Sequence, residues 1–266
     1  MLLAPPHWRT IDFISDVHLQ ESDVLTFGAW QSYMRITRAD AVFVLGDLFE
    51  VWVGDDAGSE GFESRCAQVL KSTALRLPVF FMHGNRDFLV GPGFMTQCSA
   101  TLLDDPTAIS FGGQLWLLSH GDALCLADTE YQQFRKTVRS AAWQRDFLAR
   151  PLAERKAIAR DLRAQSAARK RSATEYADVD GKAAADWLRH ARATHMIHGH
   201  THKPASHRLG DKLHRIVLSD WDVSANPPRA EVLRLSIKST GADSPNLVLQ
   251  PQPHVSIQRI SPTQAQ

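Results

Sequence analysis

The chain has 266 residues, of which 44% are apolar and 22% are charged, and its formal net charge is +1. This apolar content excludes an intrinsically disordered chain, and the lack of any run near 18 consecutive apolar residues excludes a membrane-spanning helix. The three cysteines are widely spaced and the first residues lack the pattern of a signal peptide, so we expect a soluble intracellular protein with reduced thiols.

Seven apolar runs of strand length recur along the chain, and helical stretches around residues 24–38 and 63–75 lie between the early ones. Each run is bounded by Gly, Asp, Asn or Pro, as is typical of buried strands. Strands that alternate with helices predict an α/β layered domain. The runs cover residues 11–14, 41–45, 78–82, 115–118, 195–197, 215–218 and 231–235.

The segment 128–192 differs in composition from the rest of the chain. It holds 15 Lys and Arg against 9 Asp and Glu, so the remainder is acidic although the whole chain is near neutral. Tyr131 and Phe134 begin a helical spacing of apolar residues. We therefore predict a basic helical lid at 128–192, inserted between parts 1–127 and 193–238 of an α/β core. Its charge indicates either an anionic partner or simply a solvated helical face.

The last residues, 239–266, are rich in Pro, Gln and Ser, which predicts a loosely ordered C-terminal tail. Within this tail, Val248 or Ile257 is apolar enough to add a contact at a sheet edge. We therefore expect the core to end near residue 238.

A polar residue that can bind a metal follows five of the predicted strands. Several of the motifs are common alone: Asp-x-His is usually a turn or a helix cap, and Gly-Asp is usually a turn. The three histidines of segment 198–202 are less usual, because a surface loop rarely holds so many imidazoles in five residues. Together the motifs favour a functional site, since positions beyond the carboxyl ends of strands gather at one edge of an open α/β sheet. Two carboxylates, four imidazoles and one amide exceed what one ion needs, whereas two ions that share a carboxylate would use all of them. The residues are Asp16, His18, Asp47, Asn85, His120, His200 and His202.

The motifs around these residues resemble those of the calcineurin-like metallophosphoesterases. The order Asp-x-His, Gly-Asp, Gly-Asn-x-Asp, His-Gly-Asp and Gly-His-x-His runs through the chain. More narrowly, segments 46–56, 83–89, 120–125 and 198–205 resemble the family of pyrophosphatases that cleave UDP-2,3-diacylglucosamine in lipid A biosynthesis. The likeness extends from about residue 11 to residue 235.

The resemblance implies two stacked mixed sheets flanked by helices, a helical lid over the site, and a pair of Mn²⁺ ions. One ion would be bound by Asp16, His18, Asp47 and His202, and the other by Asp47, Asn85, His120 and His200. Imidazole and carboxylate ligands without thiolate suit borderline ions such as Mn, Fe or Zn. The sequence does not distinguish among these metals.

Arg86 departs from the wider superfamily, in which the residue after the loop asparagine is often a histidine that protonates the leaving group. An arginine stays charged at neutral pH and cannot be that acid. A pyrophosphate releases a phosphate monoester, which leaves readily without a proton. Arg86 therefore favours anhydride cleavage, in which it would stabilise charge on the phosphates. The alternative is a structural ion pair between Arg86 and Asp87.

The resemblance also implies UMP and 2,3-diacylglucosamine 1-phosphate as products, and we assign catalysis to Asn85, Arg86 and His120. The implied contacts to the sugar phosphate are Asn85, Arg86, Asp128, Ser166, Lys170 and His200. The basic run 169–171 leaves the register around Lys170 open. Acyl chains need an apolar chamber, and the insertion offers candidates that would otherwise be core residues: Tyr131, Phe134, Val138, Trp143, Phe147, Leu148 and Leu152.

We expect a cytoplasmic protein that attaches peripherally to the inner membrane through its basic lid. Nucleic acid is not an expected partner, because no extended basic stripe crosses the body, and the oligomeric state is left open. Two alternatives remain: another metallophosphoesterase that acts on nucleotide phosphodiesters, and a catalytically silent scaffold on the same fold. A scaffold would be expected to have lost ligands, and none of the seven is missing.

Overall fold

The computed structural model describes residues 1–172, 177–238 and 254–266, except for the side chains of 165–172. In these residues, twelve strands form two sheets of six. The strands are β1 (Leu2–Leu3), β2 (Thr10–Ile14), β3 (Ala41–Leu45), β4 (Val79–Met82), β5 (Thr101–Leu103), β6 (Thr107–Phe111), β7 (Gln114–Ser119), β8 (His195–His198), β9 (Ala205–Arg208), β10 (His214–Val217), β11 (Val232–Lys238) and β12 (His254–Ile260).

Both sheets are mixed. The first has the order β12-β11-β2-β3-β4-β5, in which β2 to β5 are parallel and β11 is antiparallel to both of its neighbours. The second has the order β1-β6-β7-β8-β10-β9, with β7, β8 and β10 parallel. Each of the seven predicted apolar runs corresponds to one of these strands. The predicted α/β fold with two stacked mixed sheets is therefore confirmed.

Helices cover the outer faces of the two sheets. Those in the described residues are α1 (Val24–Ile36), α2 (Gly61–Ala74), α3 (Pro92–Cys98), α4 (Thr129–Val138), α5 (Ala141–Leu148), α6 (Leu152–Ser172) and α7 (Gly181–Ala191). The first three pack on the first sheet, and α7 packs on the second. Within the described ranges, none of these helices combines the length and hydropathy that crossing a bilayer requires.

The core between the sheets is built from side chains at alternate strand positions. The ring of Phe43 stacks with Phe13 and Phe80, with centroid distances of 5.0 and 4.6 Å. Trp116 and Ile197 of the second sheet belong to the same cluster and are buried. Because helices cover the other face of β3, this strand is buried on both sides, which explains its uninterrupted apolar sequence.

The predicted insertion 128–192 is helical over α4 to α7 in its described residues. The last of these helices belongs with the body, because Ala184 and Leu188 are buried against Leu117 and Met196 of the second sheet. Helices α4 and α6 of the insertion instead reach the predicted site. The boundaries of the insertion stay a prediction.

The C-terminal residues 254–266 differ from the loosely ordered tail that we expected. They form β12, which pairs with β11 over seven residues and covers an otherwise open edge of the first sheet. Ile257 lies opposite Leu235 and makes the edge contact that the sequence analysis considered, whereas Val248 lies outside the described residues. Val255 is buried in the core between the sheets, which gives the strand a hydrophobic reason to pair there.

Candidate metal centre

Five turns meet at one edge of the molecule, and each directly follows a strand. Three follow β2, β3 and β4 of the first sheet, and two follow β7 and β8 of the second. Backbone hydrogen bonds join them: the N–H of Asp16 donates to the carbonyl of Gly46 at 3.0 Å, and that of Gly199 donates to His120 at 3.0 Å. These turns, which we call the rim, carry all seven predicted metal ligands.

Most of the predicted ligands stand on left-handed backbone. Their φ angles lie between 52° and 67° in Asp16, His18, Asp47, His200 and His202. Such angles are uncommon outside glycine, although Asp and His tolerate them better than most residues. Each costs on the order of 1–3 kcal/mol where the surroundings impose it, and such strain clusters at functional sites. This concentration of strain supports a functional role for the rim.

Two glycines allow the turns to approach each other. A Cβ added to Gly84 would lie 2.0 Å from Oδ1 of Asp47, and one added to Gly199 would lie 2.3 Å from Oδ2 of Asp16. Both distances are far below van der Waals contact, so only glycine fits. This explains physically why glycine precedes Asn85 and His200 in the two motifs.

One group of potential ligands consists of Asp16, His18 and His202, whose ligand atoms lie within 4.8 Å of one another. The Nε2 atom of His202 is 3.2 Å from Oδ1 of Asp16 and 3.3 Å from Nε2 of His18. Among the described residues, Oδ1 of Asp16 is buried without a hydrogen-bond partner. A buried carboxylate oxygen beside two imidazole nitrogens fits a divalent cation.

The second group joins Asp47 and His120 to Asp16, again with ligand atoms within 4.8 Å of one another. The amide oxygen of Asn85 lies 3.1 Å from Nε2 of His120 and 2.8 Å from Nδ1 of His200. All seven predicted ligands therefore converge. The residue common to both groups is Asp16, whereas the resemblance implied Asp47 as the shared carboxylate.

The electrostatics of the rim suit a cation. Burial lowers the pKa of His200 to about 3, and burial together with the charge of Arg86 lowers the pKa of His18 well below its ordinary value. Both imidazoles are therefore neutral at pH 7 and keep a nitrogen lone pair free for a metal.

His120 responds to the negative charge of the rim. Burial alone would lower the pKa of His120. The charges of Asp47 and Asp16 outweigh burial and raise this pKa to about 9. Its Nδ1 donates to the carbonyl oxygen of Leu45 at 2.9 Å, which directs Nε2 into the rim. Metal-bound histidines are commonly oriented by such a bond from the other ring nitrogen. The rim therefore fits a divalent metal in both its donor atoms and its charge.

The structural ion pair between Arg86 and Asp87 that we considered does not form. Asp87 is fully buried and accepts backbone N–H groups of Leu48 at 2.7 Å and Gly84 at 2.8 Å. Arg86 turns the other way, where its Nε lies 3.3 Å from Asp47 and its Nη1 donates to Glu50 at 2.6 Å. The guanidinium therefore lies at the rim.

Glu50 lies within segment 46–56, but the sequence analysis gave it no role. Its carboxylate binds Arg86 and lies 3.5 Å from Nδ1 of His18. It also forms an ion pair with Arg163 of α6. The position of Glu50 after β3 was the sequence signal that could have identified it as a rim residue. Its contact with α6 could not be predicted from sequence.

Helix α4 binds the rim through Asp122, which also had no assigned role. The hydroxyl of Tyr131 donates to the buried Asp122 at 2.5 Å, and Nε of Arg135 donates to it at 2.8 Å. Arg139 donates to the carbonyl of Gly84 at 2.8 Å. The ring of Tyr131 stacks with that of His200, with 6.0 Å between centroids.

A further carboxylate, that of Asp220, lies close to the Nδ1 side of the His202 ring. Oδ2 of Asp220 lies 3.8 Å from Nδ1 of His202, and Asp220 receives hydrogen bonds from Arg229 at 2.9 to 3.1 Å. Asp220 lies in a Ser-Asp-Trp turn after β10, and the sequence analysis did not single it out. The structure places this turn against a predicted ligand.

The predicted substrate contacts on the insertion lie on two helices, α4 and α6. Asp128 caps α4, where its Oδ1 accepts the N–H of Tyr131 at 3.0 Å. Ser166 and Lys170 lie on α6, but their side chains lie outside the described residues.

The predicted acyl-chamber residues divide into two sets. Phe147 and Val138 are buried, and Trp143 stacks on Phe147 at 4.8 Å, as expected of core residues. Phe134 and Leu148 are each 41% exposed and so have surface available for a ligand. Tyr131 instead joins the polar contacts of Asp122, and Leu152 packs against the helix-covered core.

The calcineurin-like phosphoesterase family matches residues 9–204 of the chain, a span that contains all seven predicted ligands. The chain belongs to this family.

Within it, the chain is similar to proteins named UDP-2,3-diacylglucosamine hydrolase. It is 46% identical to the one from Chromobacterium violaceum over 79% of this chain and 90% of that protein. It is 41% identical to the one from Marinobacter nauticus over 79% of this chain and 88% of that protein. With the one from a Shewanella species, it shares 36% identity over 92% of this chain and 99% of that protein.

Proposed function

We propose that this protein hydrolyses the pyrophosphate bond of UDP-2,3-diacylglucosamine to UMP and 2,3-diacylglucosamine 1-phosphate, as a step of lipid A biosynthesis. The observation that carries the proposal is the convergence of seven donor residues with the Arg86 guanidinium beside them. The names of the similar proteins support the same substrate.

We propose two Mn²⁺ ions as the cofactor, one near Asp16, His18 and His202 and one near Asp47 and His120. When bound, such a pair activates water and neutralises charge on phosphate oxygens. Asn85 and His200 complete the ligand set. With one oxygen of Asn85 beside two imidazoles, the amide also orients both rings.

Arg86 is the residue that favours an anhydride substrate. Its side chain is only 11% exposed, and Asp47 and Glu50 fix the direction of its guanidinium. It is a permanent cation, so it stabilises charge that develops on the leaving phosphate but supplies no proton to an alkoxide. Phosphodiesters with alkoxide leaving groups therefore fit this rim less well.

The test is UMP release from UDP-2,3-diacylglucosamine by the purified protein with Mn²⁺, with a cyclic nucleotide as the rival substrate. Asn85→Ala and His120→Ala should abolish the activity and Mn²⁺ binding. His190→Ala, on the exposed face of α7, is the matched control and should change neither. Undiminished hydrolysis by both rim variants would refute the metal assignment, and preference for the cyclic nucleotide would refute the substrate.

We further propose that the protein acts at the cytoplasmic face of the inner membrane as a peripheral protein. The excess of Lys and Arg in the insertion supports this, as do the exposed side chains of Phe134 and Leu148. Sedimentation with anionic vesicles should show binding at low salt that weakens at high salt. No binding at either salt concentration would contradict the proposal.

A further inference from the structure

A cavity of about 470 Å³ opens beside the rim and has no role in the proposals above. Its walls come from the segments that follow the β2 and β3 turns, from the start of α2, and from the first turns of α6. Its volume falls within the roughly 300–1,000 Å³ that is typical of small-molecule sites. We call it the side cavity.

Glu50 connects the side cavity to the rim. It lines the cavity, and the same carboxylate binds Nη1 of Arg86 at 2.6 Å and lies 3.5 Å from Nδ1 of His18. Glu50 would therefore lie between a molecule in the cavity and the Arg86 guanidinium, to which we assign phosphate binding. The cavity is part of the surroundings of the site.

Helix α4 occupies a different part of the rim, beside the turns that follow β4, β7 and β8. Tyr131 stacks with His200 there, and Arg139 holds the carbonyl of Gly84. Asp128, an implied contact of the sugar phosphate, caps this same helix. A substrate with two different halves joined at the reacting phosphates must extend to both sides, so the side cavity is available for the half that does not contact α4.

The lining of the side cavity suits a nucleoside better than an acyl chain. Gln20, Ser59, Glu60 and Glu63 present polar groups to it. Carboxylates only accept hydrogen bonds, and the hydroxyl groups of a ribose and the ring N–H of uracil are donors. A carboxylate that accepts the ribose 2′-hydroxyl is a recurrent feature of nucleotide sites. An acyl chain has no hydrogen-bond donors. Its binding would displace water from these polar side chains without replacing the hydrogen bonds that they lose.

Glu60 has acceptor capacity to offer. It stands at the N-cap of α2, yet its side chain makes no capping hydrogen bond. In the described part of the chain, neither a side-chain hydrogen bond nor an ion pair engages its exposed carboxylate. On the apolar side, Val51 and Leu152 line the same cavity and offer surface to a base.

We propose that the side cavity binds the uridine half of the substrate, with Glu60 accepting a ribose hydroxyl. This rests on the proposed function, because that function supplies the uridine. It assigns the two halves of the substrate to different parts of the rim: the nucleoside to the side cavity, and the acylated sugar to α4.

The test uses the full protein and measures binding of UMP and of 2′-deoxy-UMP by equilibrium dialysis, together with hydrolysis of UDP-2,3-diacylglucosamine. Ser59→Trp fills the side cavity, and Ser72→Trp places the same side chain on the exposed surface of α2 as a control. We expect Ser59→Trp to raise the Kd for UMP and the KM at least about tenfold, which corresponds to about 1.4 kcal/mol. Ser72→Trp should leave both unchanged.

Glu60→Ala tests the ribose contact, and Asp186→Ala on the exposed face of α7 is its control. In the wild type, UMP should bind more tightly than 2′-deoxy-UMP, and Glu60→Ala should remove that preference. Inhibition by 2,3-diacylglucosamine 1-phosphate should be unaffected in both cavity variants. Equal binding of UMP by wild type and folded Ser59→Trp, or no binding by wild type, would overturn the proposal. Failure of the proposed function shows itself separately, as the absence of UMP release by a wild type that binds UMP.

Discussion

The buried carboxylate of Asp87 joins two turns of the rim, and its removal should cost both stability and metal binding. It accepts the backbone N–H groups of Leu48, Gly84, Asp47 and Phe49 at 2.7, 2.8, 3.3 and 3.4 Å. In Asp87→Ala these four donors lose their partner, at up to about 1–3 kcal/mol for a buried unsatisfied group and less for the two long bonds. Burial and the nearby charge of Asp47 raise the pKa of Asp87 to about 7, so ionising this carboxyl group in the fold is unfavourable, and losing it offsets part of the cost. We expect a net loss of roughly 2–5 kcal/mol in the free energy of unfolding.

Urea unfolding of the protein in EDTA measures this loss, and Mn²⁺ titration measures the second effect. The matched control is Asp12→Asn, because Asp12 is equally buried but binds Arg234 and Thr37 away from the rim. This control should lose stability and keep its affinity for Mn²⁺, whereas Asp87→Ala should lose both. The reasoning is refuted if Asp87→Ala binds Mn²⁺ as tightly as wild type, or if its unfolding free energy falls by less than about 1 kcal/mol.

Three other substitutions test separate parts of the structure. Arg139→Ala removes a hydrogen bond of 2.8 Å to the turn after β4, so kcat/KM should fall about tenfold or more, with partial recovery in Arg139→Lys by steady-state kinetics. Gly199→Ala places a Cβ 2.3 Å from Asp16 and should abolish Mn²⁺ binding while the circular dichroism spectrum stays unchanged. The hydrogen bond from Arg215 lowers the pKa of Asp178 to about 2, so this ion pair stabilises the fold above about pH 4 and is lost as pH falls through 2. The difference in urea midpoint between wild type and Asp178→Asn should shrink over that interval, and a constant difference would contradict it.

The strands and the residues at the rim were predictable because both depend on local sequence. A buried parallel strand such as β3 is apolar throughout, and the residue after its last position must lie at the sheet edge. Asp47 and Asn85 could therefore be assigned to one place without knowledge of their distance. The glycines of the same turns were visible as motifs, but their close approach to Asp47 and Asp16 could be measured only in the structure.

The attachment of the helices could not be predicted, because it depends on contacts between residues far apart in the chain. Periodicity identified Tyr131 as one residue of an apolar stripe, whereas its hydroxyl is bonded to the buried Asp122. Arg86 had a sequence neighbour of opposite charge in Asp87, but backbone N–H groups compete for that carboxylate and win. The pairing of β12 with β11 is also non-local, since it places Val232 opposite Ile260 and Leu235 opposite Ile257.

The charge of the insertion acquires a different meaning once its contacts are known. Arg135 of α4 and Arg139 just after this helix pair with Asp122. Arg155 of α6 pairs with Asp56, and Arg163 of α6 pairs with Glu50. These carboxylates belong to the acidic body, so part of the basic excess serves to hold the insertion against the rim and is not available to a membrane. Membrane attachment must then depend on the remaining basic residues and on exposed apolar side chains such as Phe134. Because Arg135, Arg139 and Arg163 pair with carboxylates at the rim, the charges that bind the insertion also make the potential less negative where an anionic phosphate substrate must arrive.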